Sequence, residues 1–157
     1  QNILILLMTL PTLVALQFAA TPLGWLDYLA TALLLLMLVI ETVADQQQWR
    51  YQTAKKALIE TGRPLTGRYA QGFLDTGLWA RSRHPNYFAE QGFWISFYLF
   101  SVAASGQLIN WSISGCILLV ILFRGSSNFS EEISAGKYPQ YAEYQQKAPR
   151  FIPIRFR

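Results

Sequence analysis

The hydrophobic residues of this chain fall into four long runs that are separated by polar segments. The runs cover Ile3–Ala20, Tyr28–Ala44, Tyr87–Ala104 and Leu108–Phe123. A helix that crosses a bilayer needs about 20 largely apolar residues, with a range of roughly 17–25, and the runs are close to that length. We therefore predict an all-α integral membrane protein with about four transmembrane helices and short cytosolic helices at its C-terminal end. The alternative is a soluble helical protein that buries the same helices.

The polar segments predict where helices begin and end. Residues 52–60 continue the second helix into the cytosol, and the segment Thr61–Gly67, with its glycines and proline, ends it. Pro85 predicts the start of the third helix, because proline is favoured in a first helical turn. In the C-terminal part we predict two short helices, one over Ser130–Gly136 with its first residue as the N-cap, and one over Tyr141–Lys147.

Positive charge is segregated along the chain. The 13 Lys and Arg residues fall in the blocks Arg50–Arg83 and Arg124–Arg157, while the connections Thr21–Asp27 and Ser105–Gln107 carry none. The positive-inside rule then makes the basic loops and the C-terminus cytoplasmic. One cysteine and one histidine argue against a disulfide and a metal site,. We expect membrane lipids as partners, and we expect no nucleic acid.

The segment around the single histidine predicts an anion site. Arg83 and His84 precede Pro85 at the mouth of the third helix, and Asn86 and Tyr87 follow on its first turn. A helix start carries free N–H groups and partial positive charge, and arginine adds a fork of donors that suits phosphate. The sequence therefore predicts an anion site at the boundary between membrane and water.

Three carboxylates lie where apolar segments meet polar ones. Glu41 and Asp45 share one face near the inner end of the second run, and Glu90 follows Tyr87 on the third. Acids inside membrane segments are costly and usually face a cavity or a partner. Glu41 and Asp45 suit sugar hydroxyls, an amide or an amine, or a pair with Arg83. The alternatives are a helix end in contact with water for the first two, and dipole stabilisation for Glu90.

The C-terminal segment is rich in tyrosine and cations. Tyr141 and Tyr144 share a helical face, and Arg150 follows them. These residues either anchor an amphipathic helix to the bilayer or form a lid over a cofactor.

Several motifs of the chain resemble those of a known family. The segment LWARSRHPNYFAE at Leu78–Glu90 is similar to the signature of a bacterial and fungal membrane family described as steroid 5-alpha-reductase-like. ETVADQQ at Glu41–Gln47 resembles a second element of that family. Its C-terminal element is resembled, in the same order, by Phe123–Ser130 with Glu131, by KYPQYAEY at Lys137–Tyr144 and by RFIP at Arg150–Pro153.

The resemblance implies a cytosol-facing cofactor pocket and a reductase activity. The cofactor would be NADPH, and the reaction would reduce a carbon–carbon double bond in a hydrophobic steroid-like or isoprenoid lipid. The catalytic residues stay unassigned. The motif positions imply these cofactor-binding residues: Glu41, Asp45, Arg83, His84, Asn86, Tyr87, Glu90, Tyr141, Tyr144 and Arg150.

Two other functions fit the same resemblance. Membrane methyltransferases of the wider superfamily use S-adenosylmethionine, and they also carry an Arg-His-Pro motif and an adjacent acidic pair like Glu131–Glu132. A non-catalytic subunit of a membrane assembly, with other subunits as partners, is the third possibility. We expect residues 1–157 to be a single membrane domain. Because family members look longer before the position of Gln1, this domain would form the C-terminal, cofactor-binding part of a longer protein.

Overall fold

A computed structural model describes residues 2–153 of the chain. All regular secondary structure within these residues is helical. Short 3-10 turns lie between the longer helices, at Gly67–Tyr69, Gly77–Ala80 and Trp111–Ile113. The α-helices are α1 (Asn2–Gln17), α2 (Trp25–Glu60), α3 (Pro85–Ser105), α4 (Ser114–Lys137) and α5 (Tyr141–Lys147).

Most helix boundaries follow the local sequence signals. The 36-residue helix α2 continues through its polar half and ends at Glu60, and Gly62 then adopts a φ of 65°. A left-handed residue of this kind commonly ends a helix, and glycine adopts it without steric cost. α3 begins at Pro85 and α5 covers Tyr141–Lys147, both as predicted.

The predicted short helix over Ser130–Gly136 is wrong. Those residues belong to α4, which runs without a break to Lys137, so Ser130 caps nothing. The fourth hydrophobic run ends at Phe123, and Ser130 is a residue type that is favoured as an N-cap, which suggested a new helix. α4 continues through Phe123 and Ser130 because Ser127 and Glu131 are buried rather than solvated, so this part of α4 packs through a polar face.

Two helical segments of the described structure, fewer than the predicted four, are long and apolar enough to cross a membrane. They are α2 and the stretch Trp111–Lys137. α1 is apolar but has only 16 residues. α3 has 21 residues but carries Asn86, Glu90 and several serines, which lower its mean hydropathy. The apolar part of α2 is almost entirely exposed, with 6% of its residues buried, as a lipid-facing helix requires.

The chain divides into two compact units, and α2, α3 and α4 each run through both. The first unit comprises Gln1–Val39 and Ala89–Gly125. Its core contains Tyr98, Val102 and Cys116. The Tyr98 hydroxyl donates to the carbonyl of Leu108 at 2.9 Å and accepts from the amide of Asn110 at 3.1 Å, which fixes the connection before α4.

The second unit comprises Ile40–Phe88 and Ser126–Arg157. It therefore contains the polar half of α2, the loop to α3, the end of α4, and α5. Its core is aromatic: Tyr141, Tyr144 and Ala148 of the C-terminal segment pack against Phe73 and Tyr138. This unit carries every predicted site residue except Glu90.

Candidate functional site

A cavity of about 240 Å³ opens in the second unit. Its wall combines aromatic rings with amide, hydroxyl and basic side chains. Six of the predicted site residues line it, together with six that the sequence did not single out as site residues. The lining residues are Gln48, Phe73, Leu74, Trp79, Arg83, His84, Asn86, Tyr87, Ser130, Ser134, Tyr141 and Tyr144.

Backbone hydrogen bonds hold the C-terminal segment against the start of α3. The amide of Arg83 donates to the carbonyl of Pro149 at 2.9 Å, and the amide of His84 donates to the carbonyl of Arg150 at 3.0 Å. The Ser82 hydroxyl donates to the same Arg150 carbonyl at 3.0 Å. Both amides lie at a helix N-terminus, where N–H groups lack partners within the helix. The C-terminal segment satisfies them and so completes the cavity wall.

Glu131 of α4 is the centre of this arrangement, and its side chain is only 3% exposed. Its carboxylate accepts from Arg83 Nε at 2.8 Å and Nη2 at 3.2 Å. It also lies 2.9 Å from His84 Nε2 and accepts from Gln145 Nε2 at 2.9 Å and Arg150 Nη2 at 3.3 Å. One buried carboxylate therefore joins α4, the start of α3 and the C-terminal segment.

The Arg83 guanidinium is engaged in hydrogen bonds within the chain, and these bonds compete with any phosphate. Besides its two bonds to Glu131, its Nη1 donates to the carbonyls of Gln145 and Ala148. Its acidic partner is thus Glu131, rather than Glu41 or Asp45. With His84 neutral, the group formed by Arg83, Arg150 and Glu131 still carries one net positive charge, so the site retains an attraction for anions.

His84 is buried, and its environment keeps it neutral. Burial is the main cause that lowers the pKa of its imidazole, and the nearby guanidinium groups act in the same direction, while the bond to Glu131 opposes them. A neutral ring that donates from Nε2 to the Glu131 carboxylate leaves Nδ1 as an acceptor. The ring also stacks on Tyr87, with centroids 5.2 Å apart.

Tyr141 and Tyr144 form part of the cavity wall. Phe73 meets the Tyr141 ring edge-on at 5.1 Å and stacks on the Tyr144 ring at 5.2 Å, and the Tyr144 hydroxyl donates to the Trp79 carbonyl. Burial raises the pKa of Tyr141 to about 12 and raises the pKa of Tyr144 as well. Both phenols are therefore neutral at physiological pH. Their rings pack inside the second unit, and the lid over a cofactor stays a prediction.

Two buried amide oxygens in the residues that line the cavity have no hydrogen-bond partner. They are Gln48 Oε1 and Asn86 Oδ1. The Asn86 amide is oriented by its own NH2 group, since Nδ2 donates to Asp45 Oδ1 at 3.0 Å. Unpaired buried acceptors are rare in folded proteins, and each one calls for an explanation. Each oxygen has the capacity to accept an N–H or O–H donor.

Comparison with known proteins assigns the chain to a family. The model of the DUF1295 family, described as a protein of unknown function, matches residues 1–148. The chain belongs to the DUF1295 family. It is 43% identical over 136 residues to the uncharacterized protein C594.04c of Schizosaccharomyces pombe. That match takes in 83% of this chain and 40% of the yeast protein, so the chain spans about two fifths of that relative's length. No solved structure matches it significantly.

The remaining predicted residues of the DUF1295 chain lie outside the cavity wall. Asp45 touches the wall through Asn86. Arg150 donates to Asn128 and to Glu131, and Glu131 in turn contacts Arg83 and His84 of the wall. Glu41 is half-buried on α2. Glu90 lies on α3 in the first unit. Sequence reasoning missed the roles of Gln48, Phe73 and Glu131.

Proposed function

We propose that this DUF1295 chain is the cofactor-binding part of a helical membrane reductase. The enzyme uses NADPH to reduce a carbon–carbon double bond in a hydrophobic steroid-like or isoprenoid lipid. The proposal joins the motif resemblance to the steroid 5-alpha-reductase-like family with one observation on the cavity. That observation is the pair of unpaired amide oxygens in Gln48 and Asn86.

A nicotinamide ring suits this cavity. Its carboxamide has an NH2 group, which supplies the two N–H donors that the oxygens of Gln48 and Asn86 lack. The rings of Phe73, Tyr87 and Tyr144 offer flat apolar surface for stacking. Binding pockets for drug-sized ligands measure about 300–1,000 Å³, so a cavity of about 240 Å³ holds one end of a dinucleotide and not the whole molecule.

The membrane arrangement belongs to the same proposal. α2 and the stretch Trp111–Lys137 supply two crossings, and α1 and α3 complete the four that we expect in the assembled protein. The basic loops and the C-terminal segment then lie in the cytoplasm, where NADPH is available. The apolar substrate enters from the lipid.

In this mechanism the cofactor supplies the reducing hydride, and the residues of the chain bind, orient and shield. Gln48 and Asn86 would hold the carboxamide through its NH2 group and so orient the ring in the cavity. Tyr141 and Tyr144, neutral and buried, keep water out. Glu131 holds Arg83 and Arg150 in place, so that the C-terminal segment stays over the cavity.

Cofactor titration of the purified full-length protein in detergent tests the proposal. We expect NADPH to bind, and we expect Gln48→Leu to weaken that binding by about 2- to 13-fold, the value of one net hydrogen bond of 0.5–1.5 kcal/mol. Gln46→Leu, an exposed neighbour on α2, is the matched control and should change nothing. Tight binding of S-adenosylmethionine without NADPH binding would instead favour the methyltransferase, and an absence of binding to either cofactor would favour the non-catalytic subunit.

A further inference from the structure

A second pocket, of about 470 Å³, lies in the same unit and carries two arginines. None of the residues that line it is acidic. Leu74 lines both this pocket and the cavity described above, so one side chain belongs to both walls. The lining residues are Gln47, Arg50, Tyr51, Ala54, Arg68, Tyr69, Leu74, Thr76 and Gly77.

The guanidinium of Arg68 is held in place by two tyrosines. It lies over the Tyr69 ring at 4.9 Å, and its Nη2 donates to the Tyr69 hydroxyl at 2.8 Å. Tyr69 stacks on Tyr51 with centroids 5.3 Å apart, and the buried Tyr51 donates its hydroxyl to the carbonyl of Arg68 at 3.1 Å. This chain of contacts restricts an otherwise flexible side chain, so a ligand would lose less entropy in ordering it.

Arg50 adds a second positive charge to the pocket wall. Among the ion pairs and side-chain hydrogen bonds of residues 2–153, none involves its guanidinium. Asp75 does not line the pocket, although its carboxylate is near enough to the lining Tyr51 to contribute to the raised pKa of that phenol. The two guanidinium groups of the pocket wall therefore have no carboxylate within the wall to pair with, whereas Arg83 and Arg150 share the carboxylate of Glu131.

We propose that this pocket binds a phosphate group. Arginine presents donors in a planar fork that matches phosphate oxygens, and the Thr76 side chain in the wall offers a further hydroxyl. Two sources supply such a group. One is the headgroup of an anionic phospholipid, because the pocket lies on the polar half of a helix whose other half can cross a membrane. The other is a soluble nucleotide or diphosphate.

The test uses the purified chain in a neutral detergent and two phosphate probes. Native mass spectrometry counts adducts of phosphatidylglycerol against those of phosphatidylcholine, and a thermal-shift titration measures inorganic pyrophosphate. The variants are Arg50→Gln, Arg68→Gln and the double substitution. Arg63→Gln is the matched control, since Arg63 is an exposed arginine of the same loop that does not line the pocket.

We expect at least one probe to bind, and we expect each single variant to bind it about tenfold more weakly, as the loss of one charge-assisted bond predicts. Arg50→Gln separates a loss of binding from a loss of folding. The Arg50 side chain makes no ion pair or hydrogen bond within residues 2–153, so this variant should have the melting temperature of the wild type. Binding of the lipid alone assigns the headgroup, and binding of pyrophosphate assigns a soluble phosphate. If neither probe binds, or if Arg63→Gln costs as much as the pocket variants, the proposal is overturned.

Discussion

Replacing Glu131 with glutamine should strongly destabilise the second unit. The carboxylate accepts from Arg83, Gln145 and Arg150 and contacts His84, and it is 3% exposed. The amide that replaces the carboxylate has one acceptor oxygen fewer and brings its own NH2 group toward the guanidinium groups. Removing one partner of a buried ion pair costs about 3–5 kcal/mol. For a chain of this size that corresponds to a fall in melting temperature of about 6–20 °C.

Glu132→Gln provides the control, because Glu132 is the exposed neighbour on the same turn of α4. It removes the same charge, and an exposed substitution of this kind stays within about 0.5 kcal/mol. Thermal unfolding in detergent measures both variants. Hydrogen exchange at the amides of Arg83 and His84 adds a local measurement, since these amides bond to the C-terminal segment and should exchange faster in Glu131→Gln. Equal melting temperatures for the two variants would refute the role assigned to Glu131.

Two further predictions concern backbone strain and pH. Gly77→Ala should cost about 1–2 kcal/mol for its left-handed conformation, because Gly77 has a φ of 66° and a Cβ there would lie 2.6 Å from Gln47 Oε1. Gly125→Ala, with open space around it, should be neutral or stabilising in the same melting experiment, and equal losses would contradict the argument. Because burial lowers the pKa of His84, protons favour the unfolded chain, so stability should be complete above about pH 6.5 and should fall as the pH drops below it. His84→Gln should reduce that dependence in melting curves at about pH 7.5, 6.5 and 5.5, which bracket the ordinary histidine pKa, and a wild type that becomes more stable in acid would refute it.

Proline, glycine and the spacing of aromatic residues predicted several helix boundaries correctly. Pro85 begins α3, the glycines after Glu60 end α2, and Tyr141–Lys147 forms α5. The number of membrane-crossing helices was harder to predict, because the polar residues of α3 and the short length of α1 depart from a simple hydropathy pattern. Both the helix boundaries and the ability of a helix to cross a membrane depend on a few neighbouring residues or on the composition of one helix.

The centre of the site could not be found in the same way. Glu131 entered the sequence analysis as part of the family's C-terminal element and as half of an acidic pair, on a short helix thought to be separate from α4, and it received no role. Hydropathy does not distinguish it from Glu132, although one is buried and the other exposed. On one continuous helix, Ser127, Glu131 and Ser134 lie on a common small and polar face, and that spacing was the available signal. The partner residues come from distant parts of the chain, so only the tertiary fold identifies the role of Glu131.

The bonds between the start of α3 and the C-terminal segment also set the order in which the site is built during synthesis. Arg83 leaves the ribosome 65 residues before Ala148, whose carbonyl it binds. At about 5–20 residues per second, that interval lasts roughly 3–13 s. Throughout it the Arg83 guanidinium and the backbone amides of Arg83 and His84 lack their native partners from the C-terminal segment. The ionic partner of Arg83 appears earlier, because Glu131 follows Arg83 by 48 residues. The charge can therefore be paired before the carbonyls of the C-terminal segment are added, and a product truncated before residue 131 would keep an unpaired cation.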